Sequence, residues 1–178
     1  MQTKAPLRNG WVAVQTRIWH EKKVAEQLCI NKYECFLPLC YKEACRTGLD
    51  LQLNKHQITV PMFPGYLFCR YRESPIFHIR QASGVIKVLC FKGIPEVIPE
   101  EEIESIRKIV ASRLFTKPCE YLKIGLKVRV CNSGIFDGVE GYLMAVKKNK
   151  CKIASGISLI GKALTITVDD INVRQITD

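Results

Sequence analysis

Apolar positions along this chain follow two periods, and the switches between them mark its elements. Trp11-Val12-Ala13-Val14-Gln15-Thr16 is apolar and partly β-branched, the pattern of a strand. Over residues 20–31 the period becomes helical: Val24, Ala25, Leu28 and Cys29 share one stripe, with Lys22, Lys23, Glu26 and Gln27 outside it. Residues 33–41 form a second strand region, bent by Pro38. Residues 42–55 are polar, with Gly48 near their centre, and read as a hairpin-like excursion ahead of a strand over 57–61.

The stretch from Val60 to Arg70 organises what surrounds it. Its first half is apolar and broken by proline, and Pro64-Gly65 is a turn dipeptide at which the chain changes direction. Residues 66–71 are aromatic and β-favouring. Tyr66, Phe68 and Arg70 therefore fall on one face, and Leu67, Cys69 and Tyr71 on the other. With Phe63, the two aromatics are either half of a core or the floor of a pocket that receives another protein's apolar side chain.

Ser74 caps a short helix over 75–82 that starts on Pro75 and ends at Ser83-Gly84. A strand over 85–91 is closed by Lys92-Gly93. A helix then opens at Pro99 with Glu100, Glu101 and Glu102 in its first turn, where the helix dipole favours acid, and shows Ile103, Ile106, Ile109 and Val110 on one face. Those glutamates are explained as a solvated helix start. The order β-α-β-β-α-β-α predicts a ferredoxin-like α/β sandwich over residues 8–112.

Residues 113–123 lack a period and read as a linker. Past them come short strands at 127–130, 141–146, 150–154 and 164–168, with a fifth at 171–173 and turns at Gly134, Asp137-Gly138, Lys148-Asn149 and Gly161. Residues 124–178 thus predict a small five-stranded β-barrel. The fold class is α+β, in two domains.

Composition narrows the function. Of 178 residues 47% are hydrophobic and 25% charged, enough apolar material for packed cores. No apolar run approaches the roughly 18 residues of a membrane span. With no signal-like apolar start, the expectation is a soluble cytoplasmic protein. The nine cysteines include no Cys-x-x-Cys pair, and Cys35, Cys40 and Cys45 are spaced too widely for a zinc knuckle, so they read as free thiols with no metal. Residues 1–95 hold 14 Lys and Arg against 6 Asp and Glu within a chain of net charge +10, which suggests a polyanion, most naturally nucleic acid. No Gly-rich phosphate loop or Ser/His/Asp set is present, and three scattered histidines form no constellation, so neither an enzyme nor a cofactor is expected.

The barrel's first turn reads Ser133-Gly134-Ile135-Phe136-Asp137-Gly138-Val139-Glu140-Gly141-Tyr142. Upstream stand Trp11-Val12-Ala13-Val14 with Glu21 and Lys23, then Phe63-Pro64-Gly65-Tyr66-Leu67-Phe68, Gly84-Val85 and Pro99. In this order the chain resembles the NusG family of transcription elongation factors over essentially its whole length. Its barrel is similar to the KOW domain, and its compact form is closer to the specialised RfaH and UpxY types, the latter regulating capsular polysaccharide operons.

The resemblance implies a monomer that docks on the clamp helices of RNA polymerase and suppresses pausing and termination. It implies a docking pocket of Phe36, Phe63, Tyr66, Phe68, Val88 and Phe91. It also implies contact with the non-template DNA strand through Arg17, Trp19, His20, Lys22 and Lys23. Arg46, Lys55 and Arg80 are weaker DNA candidates. A second polymerase contact, threonine-rich in RfaH, falls near Pro75-Ile76-Phe77-His78 and departs from that pattern. The barrel is expected to meet the tenth small-subunit ribosomal protein or Rho through an exposed Ile135 and Phe136, and to keep its β fold. A general NusG-type factor and a KOW-containing RNA- or ribosome-binding protein are the alternatives.

Overall fold

The structure, a computed structural model, describes residues 10–44, 56–71, 76–113, 118–120 and 125–176. Arg46, Lys55 and Cys45, with the predicted cap at Ser74-Pro75, lie outside them. The front half runs β1 (Gly10–Thr16), α1 (Glu21–Ile30), β2 (Cys35–Phe36), β3 (Leu39–Ala44), β4 (His56–Pro61), β5 (Tyr66–Tyr71), α2 (Ile76–Gln81), β6 (Val85–Val88), β7 (Cys90–Phe91), β8 (Ile94–Pro95), β9 (Val97–Ile98) and α3 (Glu100–Ala111).

The fold is α+β. β1 is the central strand, in the order β2-β5-β1-β6, and β9 also pairs with β1. Antiparallel register sets Trp11 opposite Arg70, Ala13 opposite Phe68 and Gln15 opposite Tyr66, while Val12 faces Cys69 and Val14 faces Leu67. Directly paired residues project to the same side of a sheet, so each side collects its own core. Val12, Val14, Leu67, Cys69 and Tyr71 pack under α1 (Val24, Leu28) and α2 (Ile79). Trp11, Ala13, Phe63 and Phe68 belong to the opposite cluster, with Ile103, Ile106 and Ile109 of α3.

The run expected as one strand over 85–91 is broken. Leu89 leaves β6 to donate its N–H to the Ala13 carbonyl at 2.9 Å. Cys90-Phe91 then pairs back on Ile94-Pro95. The turn between them, Lys92-Gly93, takes φ of 49° and 82°, the doubly left-handed geometry that matches strand twist in a tight hairpin.

The second sheet comprises β10 (Pro118–Glu120), β11 (Lys127–Val130), β12 (Glu140–Lys147), β13 (Lys150–Ile157), β14 (Lys162–Asp169) and β15 (Val173–Gln175). Its order is β10-β14-β13-β12-β11-β15. Four of the five expected strands are there; the fifth, expected over 171–173, is displaced to Val173–Gln175 because Asp170–Asn172 forms a helical turn. A sixth, β10, comes from the stretch expected to be a linker and pairs through Cys119 with Ala163. Gly141 and Gly156 are demanded by close approach: a Cβ on either would fall inside the contact distance of a neighbouring carbonyl oxygen, of Ala154 and Lys162 respectively.

Candidate functional site

The aromatic face on the α3 side of the first sheet is built by alternation along β5 and closed by its neighbours. Phe68 is flanked by Phe36 at 6.1 Å between ring centroids and by Phe63 at 6.2 Å in an edge-on arrangement. Phe63 and Phe68 are 1% and 0% exposed, so they form the floor. Tyr66 and Phe36 are half-buried at the margin of the same cluster. Phe91, on the β7–β8 hairpin, is 63% exposed, with the Lys92 ammonium 5.4 Å from its ring centroid. Val88 does not join this set. It pairs with Val14 and packs in the α1–α2 core, on the opposite side of the sheet, because the register that places Ala13 and Phe68 on one face places Val14 and Val88 on the other.

Two arginines complete one end of this face. The Arg70 and Arg107 guanidinium carbons lie 5.4 and 5.0 Å from the Trp11 ring centroid, and Arg107 also lies 5.3 Å from Phe36. The Trp11 indole N–H donates to Glu100 Oε1 at 3.0 Å, and Arg70 pairs with both Glu100 and Glu34. Arg107 pairs with Glu104 and Glu34. Glu100 is therefore more than a solvated helix start: it satisfies a buried indole and an arginine across the sheet. The sequence pattern does not announce the stack, because strand parity fixes which face Trp11 and Arg70 occupy but not the register that sets them opposite each other.

The basic region between β1 and α1 is a tight turn. Arg17 N–H donates to the Gly84 carbonyl at 2.9 Å and His20 N–H to the Arg17 carbonyl at 3.1 Å. Trp19, at the tip, has φ of 70° and is 78% exposed. A large side chain held in the left-handed region and left in solvent is a local cost that packing does not explain. Arg17, Lys22 and Lys23 are exposed and His20 is half-buried. The Lys22 ammonium reaches the Thr59 carbonyl at 2.9 Å, bracing α1 against β4.

Glu21, the first residue of α1, carries a carboxylate only 2% exposed that accepts the Gly65 N–H at 2.7 Å. Gly65 has φ of 81° and its carbonyl accepts the Thr16 N–H at 2.8 Å. The Pro64-Gly65 turn is thus clamped from both sides, at the point where the chain enters the strand that carries Tyr66 and Phe68. The signal was legible: Glu21 stands three, four and seven residues before Val24, Ala25 and Leu28, on the buried stripe.

The C-terminal sheet meets α3. Ser105 Oγ accepts the Glu140 N–H at 3.1 Å, Glu102 Oε2 accepts the Ser158 N–H at 3.0 Å, and the Lys108 ammonium donates to the Asp137 carbonyl. Of the apolar pair at the turn after β11, Ile135 is 50% exposed, whereas Phe136 is 6% exposed and lies in the core shared with α3. The expectation of two exposed contacts is corrected to one. Their helical turn, Gly134–Phe136, points adjacent side chains in different directions. Among the described residues no set of His, Cys, Asp and Glu could hold a metal, and no helix is long and apolar enough to cross a membrane.

A family model described as "NusG: Transcription termination factor nusG" matches residues 9–107, more than half of the chain. No curated protein matches. Among solved structures, one titled "Domain interaction in Thermotoga maritima NusG" is 17% identical, covers 96% of this chain and 98% of its own, and superposes with a TM-score of 0.49. An "MjSpt4:Spt5 complex" in its conformation A is 15% identical over 94% of this chain and 99% of its own, with a TM-score of 0.33.

Proposed function

The chain belongs to the NusG family of transcription factors, and we propose that it is an antitermination and elongation factor of the specialised type. It docks on the clamp helices of RNA polymerase and serves particular operons, of the polysaccharide class. One observation carries this reading. β5 divides its labour by face, with Leu67 and Cys69 in the α1–α2 core and Phe68 flooring an aromatic surface at whose margin Tyr66 is only half-buried. Aromatic rings give large apolar contact at small entropic cost, which suits the centre of an interface. Tyr66, Phe36 and Phe91 would make the contact, Phe63 and Phe68 would hold its floor, and Val88 has no part in it.

The turn at Arg17, Trp19 and His20, with Lys22 and Lys23 behind it, supports contact with the exposed non-template strand. Trp19, exposed at the tip, would stack on an unpaired base, and the cations would hold phosphates. Residues 124–178 act as the KOW domain, and Ile135 would offer the apolar contact for the tenth small-subunit ribosomal protein or Rho. The chemistry is binding and needs no catalytic group.

The test is in vitro transcription with purified polymerase, on templates with and without the leader of a neighbouring operon. Pause lifetimes should shorten and terminator readthrough should rise only on the leader template. Equal action on both templates would make the chain a general factor. No effect on either would overturn the reading.

A further inference from the structure

We propose that the β12–β13 hairpin is a second nucleic-acid site, one that grips the phosphate backbone of a double helix without reading its sequence. The hairpin carries Lys147, Lys148, Lys150 and Lys152, all exposed. Lys147 and Lys150 are direct cross-strand partners. Like charges directly opposite one another weaken a strand pair. Lys148 sits at the first central position of the turn with φ of 45°, in the left-handed region that glycine or asparagine occupies at low cost and a lysine does not. Two separate features of this turn thus oppose folding, and both place ammonium groups at its tip. A bound polyanion would relieve the repulsion and account for a lysine at the strained position.

The opposing acids are few. Asp169, opposite Lys150 in the register, lies 3.9 Å from its ammonium, with both side chains more than half exposed, and Asp170 follows it. Lys152 faces Thr167 on one side and Ala145 on the other. The occupant follows from what the sheet lacks. Among the described residues its exposed large apolar side chains are Leu126, Ile135, Met144, Val146 and Ile171, none of them aromatic. The one ring on the hairpin, Tyr142, is half-buried opposite Ala154 at the end away from the lysines, so the tip offers unpaired bases no exposed ring. A duplex presents a dense, regular row of phosphates and needs no such platform. This site lies on β12 and β13, apart from the turn around Trp19, and does not depend on the docking face.

The experiment measures binding of the full chain to a short duplex DNA of arbitrary sequence, by fluorescence anisotropy across a salt series. The comparison is a variant with Lys147→Gln, Lys148→Gln, Lys150→Gln and Lys152→Gln. Its affinity should fall roughly tenfold at low salt, and its log–log salt slope should become shallower by about 2 to 4 as phosphate contacts are lost. An unchanged slope overturns the proposal, as does equal displacement of the duplex by polyglutamate at matched charge. Lys148→Gly alone should raise the thermal midpoint while weakening binding; a lowered midpoint would show that Lys148 belongs to the fold and would also overturn it.

Discussion

The Glu21 carboxylate accepts the Gly65 N–H at 2.7 Å from a position 2% exposed, joining the start of α1 to the turn that leads into β5. A buried donor that loses its acceptor costs about 1–3 kcal/mol. Glu21→Ala should therefore lower stability by roughly that amount in denaturant unfolding. Glu21→Gln keeps a carbonyl oxygen in the same place and should retain most of the stability. Equal losses in the two variants would show that charge at the helix start, rather than this bond, is what matters.

Tyr66 and Phe68 separate binding from folding. Phe68 is 0% exposed, and truncating such a ring costs about 3–5 kcal/mol. Phe68→Ala is thus expected to shift the unfolding midpoint strongly, and any lost polymerase binding would be ambiguous. Tyr66 is half-buried. Tyr66→Ala should leave circular dichroism unchanged while core-polymerase binding falls at least tenfold in a direct binding assay. A folded Tyr66→Ala that binds normally removes the docking face from consideration.

Helix α3 holds the backbone of the C-terminal sheet through its own side-chain acceptors and donors, which substitution can delete. Glu102→Ala with Ser105→Ala leaves the N–H groups of Ser158 and Glu140 without these partners. At about 1 kcal/mol net for each bond, the pair should weaken the contact by about 2 kcal/mol. Amide hydrogen exchange at Glu140 and Ser158 should quicken by more than tenfold, and by more than at Val12 and Val14, because local opening adds there to the global unfolding that all four share. Uniform acceleration would mean that α3 itself has melted.

The thiols of the first sheet give a pH test. A hydrogen bond to the Cys69 sulfur, then burial, push the Cys35 thiol far up from its ordinary value of 9.0. The folded state holds this proton more tightly than the unfolded chain does. Its contribution is complete below pH 9 and is lost as pH rises past that value. Unfolding at pH 8 and above pH 9.5 should show a stability loss that is smaller in Cys35→Ser. At pH 8 Cys35 should also resist iodoacetamide in the native state, because only the thiolate reacts.

Much of this architecture is legible from period alone. The alternation across residues 66–71 assigns Leu67 and Phe68 to opposite faces before any contact is seen, and the 3.6-residue stripe of α3 names Ile103, Ile106 and Ile109 as core. Phe136 and Val88 mark where such reasoning stops. Phe136 sits on a single helical turn with too few residues to show a period, and its direction is set by a helix about 30 positions earlier in the chain. Val88 depends on register across β1, which shifts by an irregularity between Gln15 and Thr16. Trp11 and the two arginines over it come from three separate elements, β1, β5 and α3, and arrivals of that kind leave no trace in local composition.

The apolar cluster that runs from Trp11 and Phe68 through α3 to Val130, Ile153 and Leu164 has a consequence for how the molecule comes apart. Residues from both ends of the chain bury their surface against the same helix, so neither sheet can be exposed to water without stripping area from the other. Cooperativity in proteins arises from such shared burial. The chain should unfold as a single thermodynamic body, with one transition seen alike by tryptophan fluorescence from the front sheet and by exchange in the rear one. Removing the residues behind position 113 would uncover the side of α3 that carries Glu102 and Ser105, with apolar surface of the shared cluster, and the shortened protein would be prone to self-association.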